Sequence, residues 1–222
     1  MNEKCKNLKK FLLQGYNQAQ AGRYSGISPK TVNYYVKTYG LKVLTKFHKY
    51  RCNHLYFDDI STENKAYLLG FFLADGCLVE GKKKNSISKR ICFNNSIDDI
   101  EVIELARNEI SPESKIFIKY GNQGVNKRKA QSILRISSES LYETLNQKYG
   151  IVRNKTHDQN FTFNFELIPN ELIPHFIRGY FDGDGSVSFY LTKKTIFLIL
   201  ALYLTACFLQ SKLRNILKNY LV

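Results

Sequence analysis

The chain lacks the cysteine patterns of a secreted or zinc-stabilised protein. Its five cysteines are odd in number and show no CxxC spacing, which argues against a disulfide framework and a zinc ribbon. They are Cys5, Cys52, Cys77, Cys92 and Cys207. Met1 to Lys10 is polar and basic, and no apolar signal segment with a small-residue cleavage site follows. We therefore expect a reducing interior: the cytoplasm, at the nucleoid or in a phage-infected cell, with an organelle as the alternative.

Long apolar runs are also scarce. The longest extends from Ile196 to Leu209, and these residues fall short of the roughly 20 that a helix needs to cross a bilayer. We interpret this run as a buried strand followed by the start of a helix, and we expect no membrane partner. A membrane-associated tail is the alternative.

Acidic residues are few relative to basic ones. The chain has 33 Lys and Arg against 19 Asp and Glu, a net charge of +14. Residues 1 to 52 contain 11 basic residues and only one acidic residue, Glu3. Such an excess predicts a polyanionic partner, although ribosomal and membrane-surface proteins share it. Because 44% of the residues are apolar and 14% aromatic, we expect one or two globular domains rather than disorder.

Residues 7 to 39 have the pattern of short helices. Ser28 and Pro29 are typical of a helix start, and Val32, Tyr35 and Val36 recur at helical spacing. This resembles a helix-turn-helix with its turn at Gly26-Ile27 and residues 29 to 39 as the recognition helix. The outward residues that we expect to contact DNA are Lys30, Thr31, Asn33, Tyr34 and Lys37. An ordinary three-helix cap with a solvated basic face is the alternative.

Residues 41 to 60 show no strong periodicity and are interpreted as a basic linker. His48, Cys52 and His54 lie close together there in sequence. Three potential ligands without a fourth make a poor zinc site, so we interpret them as incidental.

An internal repeat follows the linker. After Ser61, a plausible N-cap, the run from Thr62 to Gly76 has helical periodicity, and a similar run extends from Ile173 to Gly185. Placing Asp75 over Asp184 superposes the flanking glycines and aromatic residues as well. Each run precedes a strand-like and then a helix-like stretch, which predicts a duplication.

Small residues indicate how the two copies meet. Gly70 and Ala74 in the first helix, and Gly179 and Gly183 in the second, are spaced so that each pair lies on one helix face. Two such faces can pack backbone to backbone, which brings Asp75 and Asp184 side by side. Adjacent carboxylates repel each other unless a cation lies between them. Mg²⁺, or Mn²⁺ in its place, supplies that charge and tolerates phosphate and water as further ligands.

The two stretches Leu68 to Gly76 and Ile177 to Gly185 resemble the paired nine-residue motifs of LAGLIDADG homing endonucleases. The resemblance covers about residues 61 to 222 and implies an α+β fold made of a duplicated αββαββα unit, here beside a small all-α helix-turn-helix. It further implies a saddle of antiparallel strands in the DNA major groove and cleavage across the minor groove with Mg²⁺. The eighth motif residue is the metal-binding aspartate of the family, here Asp75 and Asp184. Leu73 replaces the aspartate of the sixth position, which Asp182 retains.

The same resemblance suggests further active-site members. The order of elements assigns a polar role on the second strand to Asn94 and a basic role near the scissile phosphate to Lys155, with Arg153 as the competing candidate for the basic role. A solvated loop lysine is the plain alternative for Lys155. Further DNA contacts are expected around the two hairpins of the first unit, through Lys82, Lys83, Lys84, Lys89, Arg90, Lys127, Arg128 and Lys129.

The second unit is shorter than the first. Only residues 185 to 222 follow Asp184, and Thr195 to Ala206 is almost entirely apolar, although a groove-facing strand should alternate with polar residues. We therefore divide the chain into a helix-turn-helix (1–40), a linker (41–60), a first repeat (61–168) and an incomplete second repeat (169–222). The expected function is site-specific cleavage of double-stranded DNA by a monomer with pseudo-twofold symmetry. A DNA-binding protein without nuclease activity is the alternative, and an intron RNA maturase is a weaker one.

Overall fold

A computed structural model describes residues 2–41, 43, 50–83, 86–121, 129–153, 162–191 and 196–202. The helices are α1 (Glu3–Leu13), α2 (Gln18–Tyr24), α3 (Pro29–Thr38), α4 (Glu63–Asp75), α5 (Ile100–Ile110), α6 (Glu139–Glu143) and α7 (Ile173–Asp184). The strands are β1 (Cys77–Lys83), β2 (Ser86–Ser96), β3 (Ile116–Lys119), β4 (Gln131–Ser137), β5 (Gly185–Leu191) and β6 (Ile196–Leu202). None of the helices in these ranges is both long and apolar enough to cross a membrane.

The first three helices have a small core of their own. The Ser28 hydroxyl accepts a hydrogen bond from the Thr31 N–H at 3.3 Å, and Pro29 occupies the first turn of α3, as the sequence predicted. Gly26 has a φ of 63° between α2 and α3, a conformation that favours glycine. The buried side chains of this small core are Cys5, Leu8, Leu12, Ala21, Val32 and Leu41.

The first repeat has the predicted αββαββα order, from α4 to α6. Its four strands form an antiparallel sheet in the order β1-β2-β4-β3. Alternate residues point to opposite faces of each strand, so one face buries apolar side chains against the helices while the other stays open. The buried face includes Leu78, Ile91, Phe93, Leu134 and Ile136.

Residues 50–60, which we interpreted as linker, are partly built into the larger core. Cys52, Tyr56, Phe57 and Ile60 are buried in the same cluster as α4 and the sheet. The Tyr149 hydroxyl donates a hydrogen bond to the Phe57 carbonyl at 3.0 Å. An irregular segment carries no periodic signal, so its burial could not be read from spacing.

The second unit is described as α7 followed by the antiparallel pair β5 and β6. In this unit, as in the first, a strand begins directly after the motif helix. The start of α4 differs slightly from expectation: its N-cap is Thr62 rather than Ser61, because the Thr62 hydroxyl accepts the Lys65 N–H at 3.3 Å. The helix-like stretch that we expected after the strands of the second unit lies outside the described residues.

Candidate functional site

The two motif helices, α4 and α7, pack directly against each other through their glycines. A Cβ atom added at Gly70 would overlap the carbonyl oxygen of Phe176 and lie 2.9 Å from the Tyr180 nitrogen. A Cβ added at Gly179 would overlap the carbonyl oxygen of Tyr67 and lie 3.1 Å from the Phe71 nitrogen. These contacts are reciprocal. Phe176 and Tyr180, which contact Gly70, lie 109 positions after Tyr67 and Phe71, which contact Gly179, and Asp184 lies 109 positions after Asp75. The helices are therefore related by a pseudo-twofold axis.

The carboxyl ends of both helices lie together. A Cβ added at Gly183 would overlap the Ala74 Cβ and lie 3.5 Å from Oδ2 of Asp75. Gly183 directly precedes Asp184, so the Asp75 carboxylate lies beside the end of α7 that carries Asp184. Both aspartates are half-buried. The structure thus brings the two aspartates to one end of the interface.

The interface is not chemically symmetric. The Tyr67 hydroxyl of α4 donates a 2.8 Å hydrogen bond to Asp182 of α7, and the Arg178 guanidinium lies 4.9 Å from the Tyr67 ring centroid. Burial, followed by the negative charge of Asp182, raises the pKa of Tyr67 above its ordinary value. The residues that correspond by the 109-position offset are Phe176 and Leu73, both buried and apolar. In this second combination Phe176 has no hydroxyl to donate, and Leu73, at the sixth motif position, has no carboxylate to accept.

The open face of the four-stranded sheet forms a groove of about 610 Å³ that begins at Asp75. Three of the side chains that line the groove are cationic. Among the described residues that line it, Asp75 is the acidic one. The other lining residues are Cys77, Val79, Arg90, Ile91, Cys92, Asn94, Lys119, Gln131, Ile133 and Arg135. A positively charged groove with a carboxylate at one end suits a polyanion whose reacting phosphate is neutralised there by a cation.

Two groups in this groove are buried without a protein partner. Within the described part of the chain, neither Oδ1 of Asn94 nor Nε of Arg90 has a hydrogen-bond partner. Leaving a buried polar atom unpaired costs roughly 1–3 kcal/mol, so such atoms often mark a place where a ligand or water completes the site. Asn94 is the residue that we predicted for the polar role on the second strand, and it lines the groove with Asp75.

The oxygen atoms at this end of the groove fit a hard divalent cation. Asp75 supplies carboxylate oxygens and Asn94 an amide oxygen that has no partner among the described residues, and Asp184 lies at the adjoining end of α7. No cluster of three or more His, Cys, Asp or Glu side chains suited to a metal exists among the described residues. Two aspartates alone would leave coordination positions for water and phosphate, which is typical of Mg²⁺ sites that act on phosphates.

Several of the expected DNA contacts and of the basic active-site candidates form ion pairs or lie outside the described residues. Lys89 lies on the helix-packed face of β2, where its ammonium group contacts Glu143 at 2.9 Å and Glu139 at 3.5 Å. Lys129 pairs with Asp98 at 2.7 Å, and Arg153 pairs with Glu80 at 2.9 Å. Lys84, Lys127, Arg128 and Lys155 lie outside the described residues, as do the side chains of Lys82 and Lys83.

The outward face predicted for α3 is largely exposed. Lys30, Asn33, Tyr34 and Lys37 are exposed, and the ring of Tyr34 retains 61% of its accessible surface. Thr31 is half-buried, and its hydroxyl lies 2.9 Å from that of Ser28, with either atom as the donor. Four of the five predicted contacts are therefore available to a partner.

Sequence reasoning missed three polar residues of the groove: Lys119, Gln131 and Arg135. A signal was present in β4, because the polar residues Gln131 and Arg135 fall on the strand face opposite to the apolar residues Leu134 and Ile136. We predicted contacts at the hairpin tips instead, where lysines and arginines cluster in sequence.

No protein-family model and no curated protein matches the chain. Solved structures similar to it include the LAGLIDADG homing endonuclease I-GzeII in complex with its DNA target, at 15% identity and a TM-score of 0.36, covering 62% of this chain and 65% of that one. A mutant of I-SmaMI matches at 15% identity and a TM-score of 0.45, covering 71% and 72%. The LAGLIDADG homing endonuclease I-LtrWI bound to target DNA matches at 13% identity and a TM-score of 0.41, covering 63% and 66%.

The structural comparison names the same family that the two motifs resemble. The chain spans about two thirds of the length of these structures, 65% for I-GzeII. At such identities and TM-scores, a function for this chain has to rest on its own residues.

Proposed function

We propose that this chain is a LAGLIDADG-type DNA endonuclease that binds double-stranded DNA along the groove of its sheet and hydrolyses phosphodiester bonds at Asp75 and Asp184. The observation that supports the proposal is the reciprocal packing of Gly70 and Gly179, which brings together the helix ends that carry the two aspartates, with Asp75 lining a cationic groove. The pseudo-twofold interface lies within one chain, so we propose that the protein acts as a monomer.

Some side chains of the site would act in cleavage, and others would bind DNA. Asp75 and Asp184 would hold Mg²⁺ or Mn²⁺, which when bound activates water and offsets charge on the leaving oxygen. Asn94 can orient water or a phosphate oxygen through its unpaired amide oxygen and its NH₂ group. Arg90, Lys119 and Arg135 attract the phosphate backbone or hydrogen-bond to guanine edges. Lys155 remains our candidate for the basic residue near the scissile phosphate.

A second candidate function is DNA binding without cleavage. It is favoured by the N-terminal helices, whose α3 presents Lys30, Asn33, Tyr34 and Lys37 to solvent independently of the aspartates. In this version α3 and the groove would recognise DNA while the paired aspartates serve only the helix interface.

One selection experiment separates the two candidates. The purified chain is incubated with a randomised DNA library in EDTA, and the bound fraction is recovered and then exposed to Mg²⁺. Enrichment of defined sequences followed by cleavage at one position supports the endonuclease. Enrichment without cleavage under any divalent cation supports the DNA-binding protein. No enrichment at low salt contradicts both.

A further inference from the structure

Cys77 and Cys92 lie directly opposite each other in the floor of the groove. Cys77 in β1 pairs with Cys92 in β2, and Cys92 in turn pairs with Arg135 in β4. All three side chains line the groove.

Directly opposed residues of an antiparallel pair have Cα atoms about 4.5–5.5 Å apart. A disulfide requires Cα atoms about 4.4–6.8 Å apart, so the backbone can accommodate this bond without being rebuilt. Both cysteines are reduced in the structure.

We infer that Cys77 and Cys92 form a reversible cross-strand disulfide, a thiol-exchange site in the floor of the groove whose co-reactant is a small-molecule disulfide. This inference goes beyond the proposed function and does not depend on it. The bond would join β1 two residues after Asp75 to β2 two residues before Asn94, and so would tie together the strands that carry both groups.

The two cysteines differ in access, which sets the order of the steps. Cys77 is exposed, whereas Cys92 retains 7% of its accessible surface. The Cys77 sulfur attacks one sulfur of glutathione disulfide, which releases one glutathione and leaves a mixed disulfide on Cys77. The Cys92 sulfur then attacks the Cys77 sulfur and releases the second glutathione. The two protein thiols are oxidised, the glutathione disulfide is reduced, and the two protons end on the released glutathione thiols.

Cys52 provides a matched control. It is buried in the larger core and retains 3% of its accessible surface, so a small-molecule disulfide has no access to its sulfur. A Cys52→Ser variant should therefore behave as the unaltered chain does.

The test is peptide mapping by mass spectrometry under non-reducing conditions, after the folded chain has been incubated with glutathione disulfide. We expect a linked Cys77–Cys92 peptide, loss of the thiols of Cys77 and Cys92, and full reversal by dithiothreitol. Cys92→Ser should stop at glutathione bound to Cys77, and Cys77→Ser should take up no glutathione at Cys92. Circular dichroism checks that each variant is folded.

Three outcomes in the unaltered chain would overturn the inference. These are a mixed disulfide that persists on Cys77, linkage of Cys77 to a different cysteine, and the absence of any reaction at Cys77. The Cys92→Ser variant identifies the resolving thiol. If this variant keeps glutathione on Cys77 while the unaltered chain forms the internal disulfide, Cys92 is the thiol that displaces glutathione.

Discussion

Arg90 and Lys89 are neighbours in β2, yet their side chains lie on opposite faces of the sheet. Arg90 lines the groove, and its buried Nε has no partner in the described part of the chain, whereas Lys89 contacts Glu139 and Glu143 on the helix-packed face. Strand periodicity could have separated them, because successive side chains alternate. The sequence did predict Asn94 from the order of elements, but it could not reveal the ion pairs that occupy Lys89, Lys129 and Arg153.

This alternation makes a paired substitution informative. Arg90→Ala should weaken binding to a selected DNA by about 5- to 100-fold, since a direct arginine contact to a base or phosphate is worth roughly 1–3 kcal/mol. Lys89→Ala removes the same charge from the other face and should change the affinity little. Fluorescence anisotropy with labelled duplex measures both. Equal losses for the two variants would show that net charge, and not the groove, determines binding.

At the scale of secondary structure, the pairing of α4 with α7 was predictable and its side-chain chemistry was not. Two small-residue faces in matching motifs predicted a close helix contact. The hydrogen bond from Tyr67 to Asp182 depends on rotation of the helices about their axes, which spacing alone does not give. The burial of residues 52 to 60 was missed for a related reason, because that segment has no period.

The reciprocal glycine contacts predict equal sensitivity at two distant positions. Gly70→Ala and Gly179→Ala each place a Cβ against a backbone carbonyl oxygen that cannot move without displacing its helix. Each should lower the free energy of unfolding by roughly 1–3 kcal/mol or more, as overpacking does. Urea denaturation followed by circular dichroism measures the change. A large loss at one glycine with none at the other would contradict the pseudo-twofold axis.

The hydrogen-bonded combination of Tyr67 and Asp182 can be replaced by the apolar combination found at the corresponding positions of the interface. Tyr67→Phe should cost about 0.5–1.5 kcal/mol, because it leaves Asp182 without its donor. Combining Tyr67→Phe with Asp182→Leu recreates the Phe176 and Leu73 combination, and it should cost less than the sum of the two single changes. A double-mutant cycle of unfolding free energies measures this coupling. Strict additivity would mean that the hydrogen bond contributes nothing to the interface.

On the scale of the whole molecule, the basic excess and the two cores suggest that two modules hold DNA. The helices α1 to α3 have their own small core, and they contact the rest of the chain through Gly15 against the Cys52 carbonyl and through a 2.7 Å hydrogen bond from Arg51 to the Tyr16 hydroxyl. The resemblance of the two motifs to the LAGLIDADG family implied the αββαββα order, which the first repeat has. The placement of the N-terminal helices against residues 51 and 52 depends on long-range packing and was not accessible from the sequence.

Deleting residues 1 to 40 should weaken DNA binding while leaving cleavage intact at higher protein concentration, because α3 lies outside the paired-aspartate site. The double substitution of Lys30 and Lys37 by Ala serves as the matched control and should lower affinity without removing any helix. Binding isotherms and a cleavage assay over a range of protein concentrations measure the two effects. A deletion variant that binds as tightly as the whole chain would contradict a DNA-binding role for these helices.

The central claim is that Asp75 and Asp184 together form a cation-dependent site for cutting DNA, and the most direct test is the Mg²⁺-dependent cleavage rate of a selected target. Asp75→Asn and Asp184→Asn keep the side-chain shape but remove the charge that holds the cation, so each should lower the rate by orders of magnitude while DNA binding in EDTA survives. Asp182→Asn is the matched control on the same helix: its carboxylate accepts from Tyr67, and its loss should spare the rate. An Asp184→Asn protein that cuts as fast as the unaltered chain would contradict the two-aspartate site.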